Sequence, residues 1–133
     1  MPVYGLNGGA DWTNGQVGGS TLDADGRPLP SAFVDRVDRF FWDHDQAYDL
    51  EPTAEVIPEA DLKLATQLVR LNDRQLSDPE ASFYAGIATL AMLYRVEQAD
   101  SGLVSPLQEA VFTADATHNI AVGLARMEPY GQL

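Results

Sequence analysis

Phe40-Phe41-Trp42-Asp43-His44-Asp45-Gln46-Ala47-Tyr48-Asp49 is the stretch whose spacing decides the fold class and the chemistry of this chain. Around it, Phe33, Val34, Val37, Phe40, Phe41 and Tyr48 recur at the 3.6-residue period of a helix. His44 falls on the same stripe, four residues after Phe40 and four before Tyr48. On a helix His44 and Tyr48 therefore share a face, and Asp45 is rotated about 100° away. One helix can aim the imidazole at one target and the carboxylate at another beside it. Pro30-Ser31 offers a stop followed by an N-cap, and Glu51-Pro52 ends the run, which predicts a helix over 31–50.

Three further helices are expected. Pro58 and the acids Glu59 and Asp61 suit the first turn of a helix over 58–72, with Leu62, Leu64, Ala65, Leu68, Val69 and Leu71 on its apolar side. Asp78-Pro79-Glu80 opens a strongly apolar helix over 79–98. A fourth runs from Pro106 to about residue 125, with Gly123 weakening its end. No stretch alternates convincingly enough for a strand. The class is mainly α, in a single domain over 1–133: a loop region over 1–30, a helix pair over 31–72 and additional helices over 79–126. Most of the eleven glycines lie in 1–30, with the turn dipeptides Asn7-Gly8, Asn14-Gly15, Gly18-Gly19 and Asp25-Gly26. A loop that long in a compact domain is either functional or disordered.

Composition narrows the function. The 133 residues carry eight basic and twenty acidic side chains, a formal net charge of −12. Such a chain is a poor partner for nucleic acid, whose affinity comes largely from Lys and Arg on phosphates. It is also a poor electrostatic match for an anionic membrane surface. With no cysteine there is no disulfide, thiolate metal site or cysteine nucleophile. No apolar run is long enough to span a membrane, so an integral membrane protein is not expected. Residues 1–14 carry no basic n-region or apolar h-region, so a secreted form would take its signal from outside this chain or be delivered by a non-classical route.

The chemistry converges on His44. An imidazole among apolar side chains stays neutral more easily, which suits a general base. A base of this kind needs an acceptor on its second ring nitrogen, usually a carboxylate. Asp61, in Glu59-Ala60-Asp61-Leu62-Lys63, is the best placed, 17 residues on at the start of a helix able to run antiparallel to the first. His118, in Ala116-Thr117-His118-Asn119, reads as a polar helix position, and two histidines without cysteine make a poor zinc site. They are also too few for an HD-type phosphohydrolase. Asp23-Ala24-Asp25-Gly26 has the opening acids of an EF-hand loop but lacks its later acidic positions, which favours a hairpin turn.

The run from Val34 to Tyr48 resembles the active-site helix of phospholipase A2. That helix carries an aspartate six residues before the catalytic histidine, matched by Asp38, and continues His-Asp-x-x-Tyr, matched by His44, Asp45 and Tyr48. Phe40-Phe41 stand where the secreted enzymes have cysteines. The cysteine-free pattern, with an Ala-Asp pair on the next helix matched by Ala60-Asp61, is similar to the phospholipase domain of parvoviral capsids and related bacterial proteins. The match covers roughly residues 31–65.

The resemblance implies a phospholipase A2-like fold, with two antiparallel active-site helices preceded by a glycine-rich calcium loop and followed by further helices. It implies calcium-dependent hydrolysis of the sn-2 acyl ester of glycerophospholipids. His44 would be the general base, Asp61 would hold its tautomer and Tyr48 would hydrogen-bond Asp61. Asp45 would give carboxylate oxygens to Ca2+, and loop carbonyls would complete the shell. The family's loop reads Cys-Gly-x-Gly-Gly shortly before the helix; here the nearest counterpart is Gly8-Gly9-Ala10-Asp11-Trp12, giving carbonyls near Asn7, Gly9 and Asp11. A rival is the segment from Gly18 to Gly26, closer to the viral spacing. The setting implied is a bacterial toxin or effector, or a virion-associated domain, acting on a phospholipid membrane; a self-toxic lipase made inside a cell would need restraint, either from an inhibitory or immunity protein or from the scarcity of cytosolic calcium. The alternative is a non-enzymatic interaction module on the same helical scaffold.

Overall fold

The computed structural model describes the chain except residues 1–3, 6, 9–11, 14, 18, 31, 32, 34, 54 and 128–133. The described residues are mainly helical, as the spacing predicts. The order is β1 (Trp12–Thr13), β2 (Gln16–Val17), α1 (Arg36–Leu50), α2 (Val56–Val69), α3 (Pro79–Ala99) and α4 (Pro106–Met127). The chain divides into two compact units, Met1–Ala60 and Asp61–Leu133, and the division falls inside α2.

The first unit holds α1 and the glycine-rich segments. β1 and β2 form a two-residue-strand antiparallel hairpin, with Trp12 opposite Val17 and Thr13 opposite Gln16. Strands this short leave no period-2 signature, which is why none was expected. Isolated bridges join Tyr4 to Gly8 and Leu22 to Pro28. α1 begins at Arg36, not at Ser31. Its N-cap is Asp35, in extended backbone, whose Oδ1 accepts from the Asp38 N–H at 2.8 Å. Phe33 therefore lies outside the helix and exposed, with the Arg39 guanidinium over its ring at 5.7 Å. The buried apolar side chains of α1 are Val37, Phe41 and Trp42. The helix ends where expected: Glu51, just before Pro52, is the C-cap, and its N–H still reaches the Ala47 carbonyl.

α2 starts two residues before the expected Pro58, where the Thr53 hydroxyl accepts from the Val56 N–H at 3.1 Å. It stops at Val69, short of the expected 72. Asn72 and Gln75 exchange side-chain-to-backbone bonds, each 3.0 Å, and so close a separate turn that competes with a continued helix.

The second unit is built on α3 and α4. Asp78 caps α3, accepting from the Glu80 N–H, with Pro79 in the first turn. The Ser82 hydroxyl donates to the Asn119 carbonyl at 2.8 Å, and Gly123 lies against Pro79 and Phe83, so the two helices run antiparallel. A Cβ on Gly123 would come within 2.7 Å of the Pro79 carbonyl oxygen, so its place in α4 is the close approach of α3. Leu64, Leu68, Leu76 and Val96 are fully buried in this unit. Each such side chain contributes about 2 kcal/mol by removal from water. Among the described residues, no helix is long and apolar enough to cross a membrane.

Candidate active site on the first helix

α1 carries His44, Asp45 and Tyr48 as the helical spacing dictates. His44 and Tyr48, one turn apart, bring their rings to 4.6 Å between centroids, tilted by 44°. The His44 side chain is 8 % exposed, which meets the expectation of a largely desolvated imidazole. Its Nδ1 lies 3.7 Å from Asp45 Oδ1. That is beyond hydrogen-bond length but close enough for attraction when the ring is protonated.

Asp45 is more open, at 19 % side-chain exposure, and its second oxygen is taken. The Thr13 hydroxyl donates to Asp45 Oδ2 at 2.8 Å. Burial pushes the Asp45 carboxyl above its ordinary value, and the neighbouring imidazole and the Thr13 hydroxyl draw it part of the way back.

The acids of α1 and its cap bind the N-terminal segment in succession. The Tyr4 hydroxyl donates to Asp35 Oδ2. The Asn7 N–H donates to Asp38 Oδ1 at 2.8 Å, and both residues are fully buried. Tyr4 and Gly8 close the turn between them by reciprocal backbone bonds. Gly5 sits in this turn at φ +56°, and a Cβ there would lie 2.6 Å from Asp38 Cγ. Only glycine meets both the backbone angle and the space. Further along α1, the N–H and hydroxyl of Thr21 both donate to Asp49 Oδ2, at 2.8 and 2.7 Å.

The two glycine-rich segments thus meet different ends of α1. The first reaches Asp38 through Asn7 and Asp45 through Thr13. The second reaches Asp49, one turn beyond Asp45. The second is a hairpin, as expected for Asp23 to Gly26. Asp23 Oδ1 accepts from the N–H groups of Asp25 and Arg27, so that carboxylate closes its own turn. Of the three expected calcium-loop positions, Asn7 is placed as described, and Gly9 and Asp11 lie outside the described residues.

Asp61 stands on α2 in the second unit. It is 1 % exposed, and its Oδ2 lies 3.5 Å from Arg95 Nε on α3. A carboxylate so buried requires a charge partner or several hydrogen bonds. His118 is exposed and pairs its Nε2 with Asp73 at 2.9 and 3.0 Å, in keeping with a polar helix position.

Two residues at these sites escape a reading of the sequence, Thr13 and Arg95. Arg95 leaves no local signal. Thr13 does leave one, since Thr13-Asn14-Gly15-Gln16 is an Asn-Gly hairpin pattern, which fixes which residues face each other. Among the described residues, no three His, Asp or Glu side chains are grouped to hold a metal ion. Comparison with protein-family models, curated proteins and solved structures finds no match to this chain.

Proposed function

We propose that this chain is a calcium-dependent phospholipase A2-like esterase that hydrolyses the sn-2 acyl ester of glycerophospholipids. The observation that carries the reading is the desolvated His44, tilted against the Tyr48 ring, with the Asp45 carboxylate at its Nδ1 edge. In this reading the fold is that of the phospholipase A2 helix pair, with the segment from Tyr4 to Thr13 as the calcium loop.

The donor chemistry fits calcium. Asp45 offers carboxylate oxygen, the adjoining loop offers backbone carbonyls near Asn7, Gly9 and Asp11, and hard oxygen donors are what calcium takes. With one carboxylate, most of the shell would come from carbonyls and water. Calcium, when bound, supplies positive charge for the ester oxygen.

The chain's own residues do the rest. His44 Nδ1, on the Asp45 side, would accept a proton from the attacking water. By the resemblance to phospholipase A2, Asp61 would be the carboxylate that stabilises the imidazolium that forms, and Tyr48 would hydrogen-bond it. Tyr48 lies beside the His44 ring on the same helix face. The water oxygen bonds to the ester carbon as His44 takes its proton; when the tetrahedral adduct collapses, the ester C–O bond breaks and the glycerol alkoxide leaves with that proton from His44, so no side-chain nucleophile is required.

A second reading has its own support. Asp35, Asp38, Asp45 and Asp49 each accept a hydrogen bond from the N-terminal segment. Such a clasp could serve a non-enzymatic interaction module on the same scaffold. The test uses phospholipid vesicles with distinguishable acyl chains at the two positions. The expected result is release of the sn-2 acid in calcium and none in chelator. Release of the sn-1 acid, or no release in calcium, refutes the esterase reading.

A further inference from the structure

We infer that Thr13 is a positioning residue for calcium, fixing the plane in which the Asp45 carboxylate is presented to the ion; this rests on the calcium reading above. The two oxygens of the Asp45 carboxylate have different neighbours. Oδ2 accepts the Thr13 hydroxyl at 2.8 Å, and Oδ1 is the oxygen turned toward His44 Nδ1, at 3.7 Å. A metal serving a reaction at His44 would meet this carboxylate on the side facing the imidazole. A free aspartate rotates about its terminal torsion and offers either oxygen. The hydrogen bond from Thr13 stops that rotation.

Thr13 is itself held rigidly. It is buried and lies in β1, where it pairs with Gln16 across the hairpin. The Gly19 N–H closes back on the Gln16 carbonyl at 3.1 Å. Gly19 also lies so close to the Thr13 carbonyl that a Cβ there would overlap it. The hairpin and Gly19 together fix the backbone from which the hydroxyl is aimed. Outer partners that orient a metal ligand typically contribute 10–100-fold in affinity, which sets the scale expected here. Thr13 is 32 residues from Asp45 in the chain, so the contact also ties the glycine-rich segment to the helix at the ligand itself.

The test is calorimetric titration with calcium of the wild-type chain and of Thr13→Val, Thr13→Ser, Gly19→Ala and Asp45→Asn. Thr13→Val keeps the shape and removes the donor, and its affinity should fall about 10- to 100-fold. Thr13→Ser keeps the hydroxyl and should bind within about threefold of wild type, by the same measure of outer-partner effects. Gly19→Ala displaces Thr13 without touching the hydroxyl, and should weaken binding alongside Thr13→Val. If Thr13→Val fails to fold, the contrast between Thr13→Ser and Gly19→Ala decides. Unchanged or tighter binding by Thr13→Val, with binding lost in Asp45→Asn, overturns the inference and leaves the calcium reading standing. Equal losses in Thr13→Ser and Thr13→Val overturn it as well. No calcium binding by the wild type overturns both.

Discussion

Asp45→Asn is expected to lower calcium affinity on the order of 100-fold or more, because ligand charge is what chiefly sets affinity at oxygen sites. The substitution is a narrow one. Asparagine keeps the size of the side chain and an oxygen that can still accept from the Thr13 hydroxyl. What disappears is the negative charge and the second carboxylate oxygen. The fold of the first unit should therefore survive, with Asn7 still on Asp38 and Thr21 still on Asp49. A circular dichroism spectrum and melting temperature close to wild type would establish that. Calorimetry then reads the ion directly. Unchanged affinity would remove Asp45 from the ligand set and with it the proposed chemistry.

Asp38→Ala is expected to cost stability instead, about 3 kcal/mol. The carboxylate is fully buried and receives the Asn7 N–H at 2.8 Å, while Gly5 is pressed against its other face. A hydrogen bond to a charged group contributes about 1.5–3 kcal/mol, and an amide left buried without an acceptor costs about 1–3 more. Asp38→Asn keeps an acceptor oxygen and should lose about 1 kcal/mol by the same reasoning. Denaturant unfolding gives both numbers. A midpoint for Asp38→Ala equal to that of wild type would mean that Asp38 does not anchor the N-terminal turn.

Much of the helical frame can be read from the sequence, because its signals are local. Asp78-Pro79-Glu80 marks the start of α3 to the residue, and Pro106 does the same for α4. The contact between the His44 and Tyr48 rings follows from their spacing alone. The start of α1 is a different matter. Ser31 and Asp35 can both cap a helix, and Phe33 and Val34 extend the apolar stripe upstream. Asp35 is the cap that forms, and its carboxylate also receives the Tyr4 hydroxyl, 31 residues away. No local pattern carries that choice. The end of α2 misleads for the opposite reason. Leu71 continues the stripe, but the Asn72–Gln75 exchange closes a turn of its own.

The candidate site divides along the same line. His44, Asp45 and Tyr48 are adjacent on one helix and were legible from their spacing. Thr13 on Asp45 and Arg95 on Asp61 are partners across 32 and 34 residues, and a single chain gives no periodicity for such pairs. Charge is the case in which geometry changes the meaning of composition. A net charge of −12 suggests a surface of solvated acids. Asp35, Asp38, Asp45 and Asp49 are instead acceptors that hold the N-terminal segment to α1.

The central claim is that His44 acts as a general base in calcium-dependent ester hydrolysis. The most direct measurement is fatty-acid release from mixed phospholipid vesicles by wild type and His44→Ala, each with calcium and with chelator. Release is expected only from wild type with calcium, with a loss of about 10²–10⁴-fold in His44→Ala, the range a positioned base supplies. Equal rates in all four conditions would contradict it.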